Sequence, residues 1–506
     1  MVRYGWMDLQ PLNHRVEVPL YRQLFEQIAE QIRSGKLPAG ERLPATRELA
    51  GSLGLNRATV SAAYELLESG GLISGHVGRG SFVSGGRIAR SGVDWQAHLA
   101  RAEEGLVGRD NSVLANAAAN PGTPGKHAIS FAVSRPAESL FPLEDFRAAC
   151  AAVLARSDLR EILQLGSPSG FEPLRRFLLE NARREGLAQA GDDLIITNGC
   201  QQALDLIGRV LLRPGDSVVL EDPVHSGLQN LMAGMGARLL GVPVEADGID
   251  LTLLRRALER ERPRLIVVTS NLQNPTGTTL PLHSRQAVLE MARTAGVPVI
   301  ENDPYVELRY HGAPLPALKQ LDGFGGTVLL RSFSKVSFPG LRVGWVLGPK
   351  LLIDRLRQAK ETSDLHTDQL SQAVLLEFAE SGRLEAHRAR VRQAGAERLA
   401  AVLVACREFL PPGTRWTEPE GGMNLWVRLP KPLGASELLV RTQARGVTFL
   451  PGRYFEIGRR DPGALRLSFA GLEVNQIRKG LEILGEVIAG EQRRAAENRE
   501  PVTAMV

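Results

Sequence analysis

A long alternation of short apolar runs with helical patterns constrains this 506-residue chain most, and it begins near residue 128. The runs are rich in Val, Ile and Leu and nearly continuous, as in strands buried on both faces. They read DLIITNG, DSVVLEDP, ARLLGVPV, RLIVVTSN, VPVIENDP, TVLLRSFS and RVGWVLG. Helical patterns such as QQALDLIGRVLL lie between most of them. The sequence therefore predicts an α/β fold with a mostly parallel sheet covered by helices on both faces.

The remainder of the chain predicts further domains around this sheet. Residues 1–84 have helical patterns and end in a Gly-rich piece, and residues 85–127 have the composition of a linker. The large α/β domain is predicted at 128–375. A long helical pattern, MNLWVRLP, another helix and ALRLSFA then predict a smaller α+β domain at 376–490. Residues 491–506 read as a polar tail.

Charge and cysteine content exclude several classes of protein. The formal net charge of +5 is too small to imply nucleic-acid binding by itself. Cys150, Cys200 and Cys406 are far apart and odd in number, which argues against a disulfide framework. The amino-terminal residues have no apolar core of the signal-peptide type, and no run is long enough to span a bilayer. We expect a cytoplasmic protein that does not contact a membrane.

The first domain shows the spacing of a helix-turn-helix. Apolar residues recur at four-residue intervals from Leu20 to Ile32, which predicts a helix. In the next stretch we expect Thr46 to cap a short helix, Gly54 to end it and Asn56 to cap the following helix. Two short helices joined by a Gly-containing turn are typical of DNA-binding proteins. The segment LISGHVGRGSFVSG then predicts two strands around a tight turn.

These features together resemble the winged helix-turn-helix of the GntR regulators from Leu20 to Val83. The resemblance implies that the partner is double-stranded operator DNA. Arginine suits phosphates and guanine edges, although such arginines can also be ordinary solvated charges. By the resemblance, Arg47 contacts a backbone phosphate or a groove edge. Arg57 and Thr59 lie at the start of the recognition helix, and Arg79 lies on the wing.

The stretch RSFSKVSFPGLRVGW follows the apolar strand at Val328–Leu330 and predicts a reactive amine beside an anion. Burying an unpaired ammonium is costly, and a Schiff base to a carbonyl cofactor is one reason to place Lys335 there. Ser332 and Ser334 can donate hydrogen bonds to an anion, and Arg342 can bind it with two N–H groups.

Other polar residues at predicted strand ends supply the remaining parts of such a site. Gly199 and Cys200 begin a helix, where free backbone N–H groups favour a phosphate. Asp303 ends a buried strand, where a carboxylate needs a cationic partner or hydrogen bonds, and a pyridinium nitrogen would serve. Asn274, in NLQNPTG, and Tyr305 suit a ring phenolate.

The motifs NPTG, DPY, SFSK with a later R-x-G, and LRLSF resemble the fold-type I aminotransferases that use pyridoxal phosphate, from about Ile129 to Leu484. The resemblance implies that Lys335 forms the internal aldimine and that Arg466 binds the carboxylate of the ligand. It implies these cofactor contacts: Asp303 at the pyridine nitrogen, Asn274 and Tyr305 at the ring oxygen, and Gly199, Cys200, Ser332, Ser334 and Arg342 at the phosphate.

Two positions depart from the pattern of that family. His225 stands where an aromatic residue, usually tyrosine, stacks on the cofactor ring; an imidazole can stack but covers less area. Alternatively, His225 is an exposed residue at a helix start. Leu165 stands where relatives often carry a tyrosine that reaches the partner's phosphate, which weakens the case for efficient transamination more than the case for binding.

A chain that joins both domains resembles the MocR subgroup of the GntR regulators. This resemblance implies a head-to-tail, domain-swapped homodimer. A flexible linker of about forty residues has a root-mean-square span of roughly 35 Å, which permits such an exchange. The leading hypothesis is a transcription regulator that senses an amino-acid-like effector through an external aldimine with pyridoxal phosphate. A working aminotransferase that carries an accessory DNA-binding domain is the alternative, and a scaffold without cofactor is a third.

Overall fold

The structure is a computed structural model, and it forms two compact units, Met1–Arg101 and Ala102–Val506. The predicted linker lies outside the described residues. The structure describes these ranges: 2–4, 7–13, 18–76, 80–84, 129–458 and 460–497.

In its described residues, the first unit is a small helical domain with two antiparallel strand pairs. Its elements are the strands Val2–Tyr4 (β1) and Met7–Leu9 (β2), the helices Leu20–Arg33, Thr46–Leu53 and Arg57–Ser69, and the strands Ile73–His76 (β3) and Gly80–Val83 (β4). Leu24, Ile28, Val60 and Leu67 are fully buried and form the centre of its core. The helix-turn-helix and the paired strands of the wing are thus confirmed.

Local chemistry explains how the two short helices of this unit are bounded. Gly54 ends the first of them in the left-handed conformation, with φ at 65°. Asn56 precedes the second, and its side chain accepts a hydrogen bond of 2.9 Å from the Ala58 N–H. The predicted Thr46 cap is wrong. Thr46 is already helical, and the residue before the helix is Ala45, which has no side-chain oxygen to offer.

The second unit is built on an eight-stranded sheet in the order β6-β13-β12-β11-β10-β7-β8-β9. The pairings make β6, β7, β8, β10, β11 and β12 run in one direction, whereas β13 and β9 run against them. The mostly parallel sheet is thus confirmed. Its strands are Asp192–Thr197 (β6), Ser217–Asp222 (β7), Arg238–Glu245 (β8), Gly248–Ile249 (β9), Leu265–Val268 (β10), Val299–Asn302 (β11), Thr327–Ser332 (β12) and Gly344–Pro349 (β13).

Both faces of this sheet are buried under helices. Leu265 and Val267 of β10 pack into one core, whereas Ile266 and Val268 pack into another, because successive side chains point to opposite faces. The helices of this part are Leu143–Leu154, Leu159–Ile162, Glu172–Arg184, Gly199–Leu211, Ser226–Gly234, Leu251–Glu261, Leu282–Ala295, Leu318–Leu321, Lys350–Asp364 and Gln369–Glu380.

A smaller layered part completes the second unit. Its four-stranded sheet has the order β14-β15-β18-β17, and a separate parallel pair joins β5 to β16. The strands are Ile129–Ser130 (β5), Arg415–Trp416 (β14), Asn424–Arg428 (β15), Val447–Thr448 (β16), Leu450–Pro451 (β17) and Ala464–Ser468 (β18), and the helices are Arg383–Phe409, Ala435–Gln443 and Val474–Glu497.

The last helix continues past residue 491, where the sequence predicts the start of a polar tail. At that point Glu491 pairs with Arg441, and Gln492 donates a hydrogen bond of 3.1 Å to the Pro412 carbonyl. Within the described ranges, none of the helices combines the length and the hydropathy that crossing a bilayer requires.

Candidate functional site

A cavity of about 200 Å³ opens at the carboxyl ends of the parallel strands in the second unit. This is the edge at which open α/β sheets bind ligands. Eight residues predicted from the sequence line it together: Cys200, His225, Asn274, Tyr305, Ser332, Ser334, Lys335 and Arg342. Three more, Gly199, Asp303 and Arg466, contact or adjoin this lining.

Lys335 projects into the cavity from a single 3₁₀ turn, Phe333–Lys335, that follows β12. The Ser332 side chain starts this turn by accepting a hydrogen bond of 3.0 Å from the Ser334 N–H. The Lys335 Nζ donates to the Ser134 carbonyl at 3.3 Å and lies 5.6 Å from the centre of the Tyr305 ring. Lys335 is half-buried, and its amine forms no ion pair with a carboxylate among the described residues.

One end of the cavity is suited to an anion. Arg342 donates to Ser334 Oγ at 3.4 Å and to the Asn198 carbonyl at 3.2 Å. Gly199 begins the helix Gly199–Leu211 with φ at 78°, and a Cβ there would lie 2.8 Å from the Arg342 guanidinium. A guanidinium, two serine hydroxyls and a helix amino terminus thus meet in a space that only glycine leaves open. Phosphates bind to such arrangements.

Asp303 lies behind the wall of the site, between Asn302 and Pro304, which line the cavity. It is 1 % exposed, and its Oδ1 accepts a hydrogen bond of 3.0 Å from Asn271. In the described part of the chain its Oδ2 accepts none, and the Arg331 guanidinium lies 3.6 Å away. Burial raises the pKa of this carboxyl, and Arg331 opposes that change. A buried carboxylate oxygen therefore remains able to accept an N–H.

Asn274, Tyr305 and Arg466 form a chain of contacts along another wall. The Asn274 amide donates to the Tyr305 hydroxyl at 3.3 Å, and its Oδ1 accepts from Arg466 at 3.1 Å. Arg466 also donates to the Ala132 carbonyl and lies 4.8 Å from the centre of the Phe455 ring. Burial lowers its pKa to about 10, so it stays cationic at neutral pH.

His225 and Cys200 are held in their neutral forms. His225 precedes the helix Ser226–Gly234, and its side chain is open to the cavity. Desolvation by the surrounding walls lowers the pKa of the imidazole, and the charges of Arg466 and Lys335 act in the same direction. Burial raises the pKa of Cys200 to about 12. Neither side chain adds a charge to the cavity at neutral pH.

Sequence reasoning missed the two partners of Asp303, namely Asn271 and Arg331. A signal for Arg331 is present, because a charged residue interrupts the apolar run TVLLRS. Asn271 stands three residues before Asn274 in the polar segment SNLQNPTG, and no local pattern separates it from its neighbours.

The first unit presents its predicted DNA-contacting residues at the helix starts. Arg47 and Arg57 are exposed near the beginnings of Thr46–Leu53 and Arg57–Ser69, and Thr59 is half-buried in the first turn of the latter helix. Arg79 lies outside the described residues.

Two family models match the chain. The model "Aminotransferase class I and II" matches residues 129–484, and the model "Bacterial regulatory proteins, gntR family" matches residues 20–83. The probable rhizopine catabolism regulatory protein MocR of Rhizobium meliloti is 30% identical over 475 residues, which cover 94% of each chain. The 2-aminoadipate transaminase of Thermus thermophilus is 39% identical over 368 residues, which cover 72% of this chain and 90% of that protein.

Solved structures agree with these matches. LysN, an alpha-aminoadipate aminotransferase from Thermus thermophilus complexed with N-(5'-phosphopyridoxyl)-L-leucine, superposes with a TM-score of 0.71 at 36% identity, over 79% of this chain and 100% of that chain. The multiple substrate aminotransferase of Thermococcus profundus gives 0.75 at 31% identity over the same shares of the two chains. The chain therefore belongs to the aminotransferase class I and II family, in the MocR-type group of GntR regulators, and its cofactor is pyridoxal phosphate.

Proposed function

We propose that this protein is a DNA-binding transcription regulator whose aminotransferase-like unit holds pyridoxal phosphate and senses an amino-acid-like amine. The observation that carries the proposal is a half-buried lysine, Lys335, facing an anion-binding cavity in a chain that also has a gntR-type helix-turn-helix. A ligand that reacts at Lys335 can change DNA affinity only if it binds two states of the protein unequally.

The residues of the cavity fit the cofactor. Bound there, pyridoxal phosphate would supply an aldehyde that combines with amines and a ring that accepts electrons. Lys335 would hold the aldehyde carbon, and the orphaned Oδ2 of Asp303 would accept the N–H of the ring. Asn274 and Tyr305 would donate to the ring oxygen, while His225 would lie against the ring. The phosphate would be held by Gly199, Cys200, Ser332, Ser334 and Arg342.

Arg466 is proposed to bind the carboxylate of the effector. Its guanidinium is buried, cationic and anchored on the smaller sheet, and it reaches the cofactor side through Asn274. An amine that carries a carboxylate would therefore contact both parts of the second unit. Such a ligand would favour one arrangement of these parts over another, and in this way it could change the conformation of the rest of the protein.

An aminotransferase with an accessory DNA-binding domain is the second candidate. The complete set around Lys335, Asp303 and Arg342 favours it, because these residues would also serve turnover. Leu165 argues in the other direction, since its exposed apolar side chain offers no hydrogen bond. Steady conversion of amino acids with a keto acid at metabolic rates would support this candidate.

We further propose that the protein acts in the cytoplasm as a domain-swapped homodimer with boundaries near 1–84, 85–127, 128–375 and 376–490. Leu163, Leu165 and Leu365 of the second unit are 65%, 71% and 56% exposed, and a second copy of the chain would cover such apolar side chains.

The test of the proposed function is the coupling between effector and DNA. DNA retained by the purified full-length protein is sequenced, and the affinity for this operator is measured with and without amino acids at fixed salt. The parent should show a visible absorbance from its cofactor, and at least one amino acid should change operator affinity. Lys335→Ala should lose that absorbance and the response, yet still bind the operator.

Reciprocity makes this test stricter. If an amino acid changes operator affinity by some factor, the operator must change amino-acid affinity by the same factor. Lys350→Ala, an exposed lysine paired with Asp354, is the control and should behave as the parent does. The proposal would be contradicted if the parent is colourless and fails to take up pyridoxal phosphate. It would also be contradicted if none of the amines tested changes the operator affinity.

A further inference from the structure

A second, smaller cavity of about 140 Å³ lies beside Arg331. Apolar side chains such as Phe333 and Trp345 form part of its wall, whereas Glu307 and Arg388 also line it. Charged groups in such surroundings are costly unless they pair with one another. The proposed cofactor site does not explain why they are gathered here.

Arg331 connects this cavity to Asp303. It lies on β12, four residues before Lys335, and only 15 % of its side chain is exposed. One Nη is 3.6 Å from Asp303 Oδ2, and the other is 3.5 Å from Glu185. The first distance is slightly too long for a direct hydrogen bond, so the contact is an ion pair. The Arg331 Nε has no hydrogen-bond partner in the described part of the chain.

Among the described residues, Arg331 and Arg285 are cations whose charges act on Asp303, and Glu301 is an anion that interacts with it. Arg285 acts through Asn271: it donates to Asn271 Oδ1 at 2.8 Å, and Asn271 in turn donates to Asp303. This chain orients the carboxylate. Arg331 instead faces the carboxylate directly, where an opposite charge within about 4–6 Å favours the ionised form.

Glu307 and Arg388, which line the same cavity as Arg331, pair with each other, and Arg388 belongs to the long helix Arg383–Phe409. Glu307 accepts a hydrogen bond of 2.8 Å from Arg388 of that helix. Glu307 is half-buried, with 26 % of its side chain exposed. Desolvation raises the pKa of its carboxyl, and the charges of Arg388 and Arg331 oppose that change. Because the Glu307 carboxylate is already paired with Arg388, it attracts Arg331 less strongly. Arg331 therefore stays available to Asp303.

We infer that Arg331 is a positioning residue that keeps Asp303 ionised toward the ring nitrogen of the cofactor. The inference rests on the proposed role of Asp303 in the cofactor site. It assigns to Arg331 no contact with the cofactor itself.

The experiment compares full-length variants by their visible absorbance with pyridoxal phosphate. The cofactor dissociation constant and the pH midpoint of the absorbance are measured for the parent, Arg331→Gln, Arg331→Met and Arg331→Lys. Loss of an opposite charge at this distance should weaken cofactor binding by roughly tenfold or more. The pH midpoint of the absorbance should rise by about one unit. A ring nitrogen without its proton no longer repels a positive charge at the Lys335 nitrogen, so that nitrogen keeps its proton to a higher pH. Arg331→Lys should restore part of both values.

Two controls separate this function from a merely structural one. Arg175→Gln removes another arginine that is ion-paired, to Asp193, and 19 % exposed, and it should leave the midpoint unchanged. In an Asp303→Asn background, Arg331→Gln should add little further change, because the two residues act on one interaction. A midpoint in both uncharged Arg331 variants equal to that of Arg175→Gln would overturn the inference and leave the proposed function intact. A parent that binds no pyridoxal phosphate would overturn both.

Discussion

Arg466 donates a hydrogen bond of 3.1 Å to Asn274 Oδ1, and this contact joins the smaller sheet to the loop that follows β10 at the cavity. The two residues are 192 positions apart in the chain. A ligand carboxylate that draws Arg466 away from Asn274 would therefore alter both the cofactor side and the smaller sheet. This relationship gives the proposed sensor a physical link from ligand to fold.

Replacing Arg466 with Ala should abolish the spectral response to amino acids while most of the cofactor absorbance remains. The variant leaves Asn274 Oδ1 and the Ala132 carbonyl without their donor, which should lower the free energy of unfolding by about 1–3 kcal/mol. Absorbance titrations and urea unfolding measure the two effects. Arg428→Ala, on the neighbouring strand β15 and paired with Asp461, is the control that should keep the response. If Arg466→Ala loses the cofactor instead, Arg466 belongs to the cofactor contacts.

Replacing Gly199 with Ala should weaken the binding of pyridoxal phosphate by roughly tenfold, because the new Cβ would lie 2.8 Å from the Arg342 guanidinium. The positive φ should also lower stability by about 1–2 kcal/mol. Gly296→Ala is matched to it, since Gly296 has φ at 65° but a Cβ added there would meet no atom within 4 Å. Both variants should lose stability, and only the first should lose cofactor affinity. Equal dissociation constants would contradict the assignment of this end of the cavity.

Replacing Arg57 with Ala should weaken operator binding by about 1–3 kcal/mol if this side chain contacts a base edge. Arg57 is exposed at the start of the helix Arg57–Ser69, where a recognition helix meets the major groove. Binding is measured at fixed salt by fluorescence anisotropy, with Arg47→Ala and Arg79→Ala tested in parallel. Arg22→Ala, exposed on the helix Leu20–Arg33, should bind as the parent does. Unchanged affinity in all three predicted variants would remove the DNA assignment.

Replacing Glu221 with Gln should change the pH dependence of stability. Burial raises the pKa of Glu221 to about 8, although its carboxylate accepts a hydrogen bond of 3.0 Å from the Thr269 N–H. Between about pH 4.5 and 8 the unfolded chain therefore binds fewer protons at this residue than the folded chain. The residue's contribution to stability is present at low pH and is lost as the pH rises through about 8.

The parent should thus lose up to about 4 kcal/mol relative to Glu221→Gln over this interval. Urea unfolding at several pH values, with cofactor at a fixed saturating concentration, measures the difference. Glu259→Gln removes an exposed carboxyl from the helix Leu251–Glu261 and should follow the parent. Parallel curves for the parent and Glu221→Gln would contradict a buried, protonated Glu221.

The sequence by itself determined the features that depend on local patterns. The apolar runs predict the buried strands, since alternate residues of β10 must be covered on both faces. Gly54 and Asn56 are capping residues whose own backbone and side-chain chemistry ends one helix and begins the next. Lys335 is recognisable because a lone lysine directly after an apolar strand needs a chemical reason.

Only the tertiary structure decided which distant residues become partners. Asn271 reaches Asp303 across 32 residues, and Arg331 meets the same carboxylate because β11 and β12 are adjacent in the sheet. The Thr46 cap failed because the first helical residue depends on how the chain enters the helix at Ala45. Hydrogen-bond and ion-pair partners are selected by strand order and packing, which bring together groups that no short stretch of sequence contains.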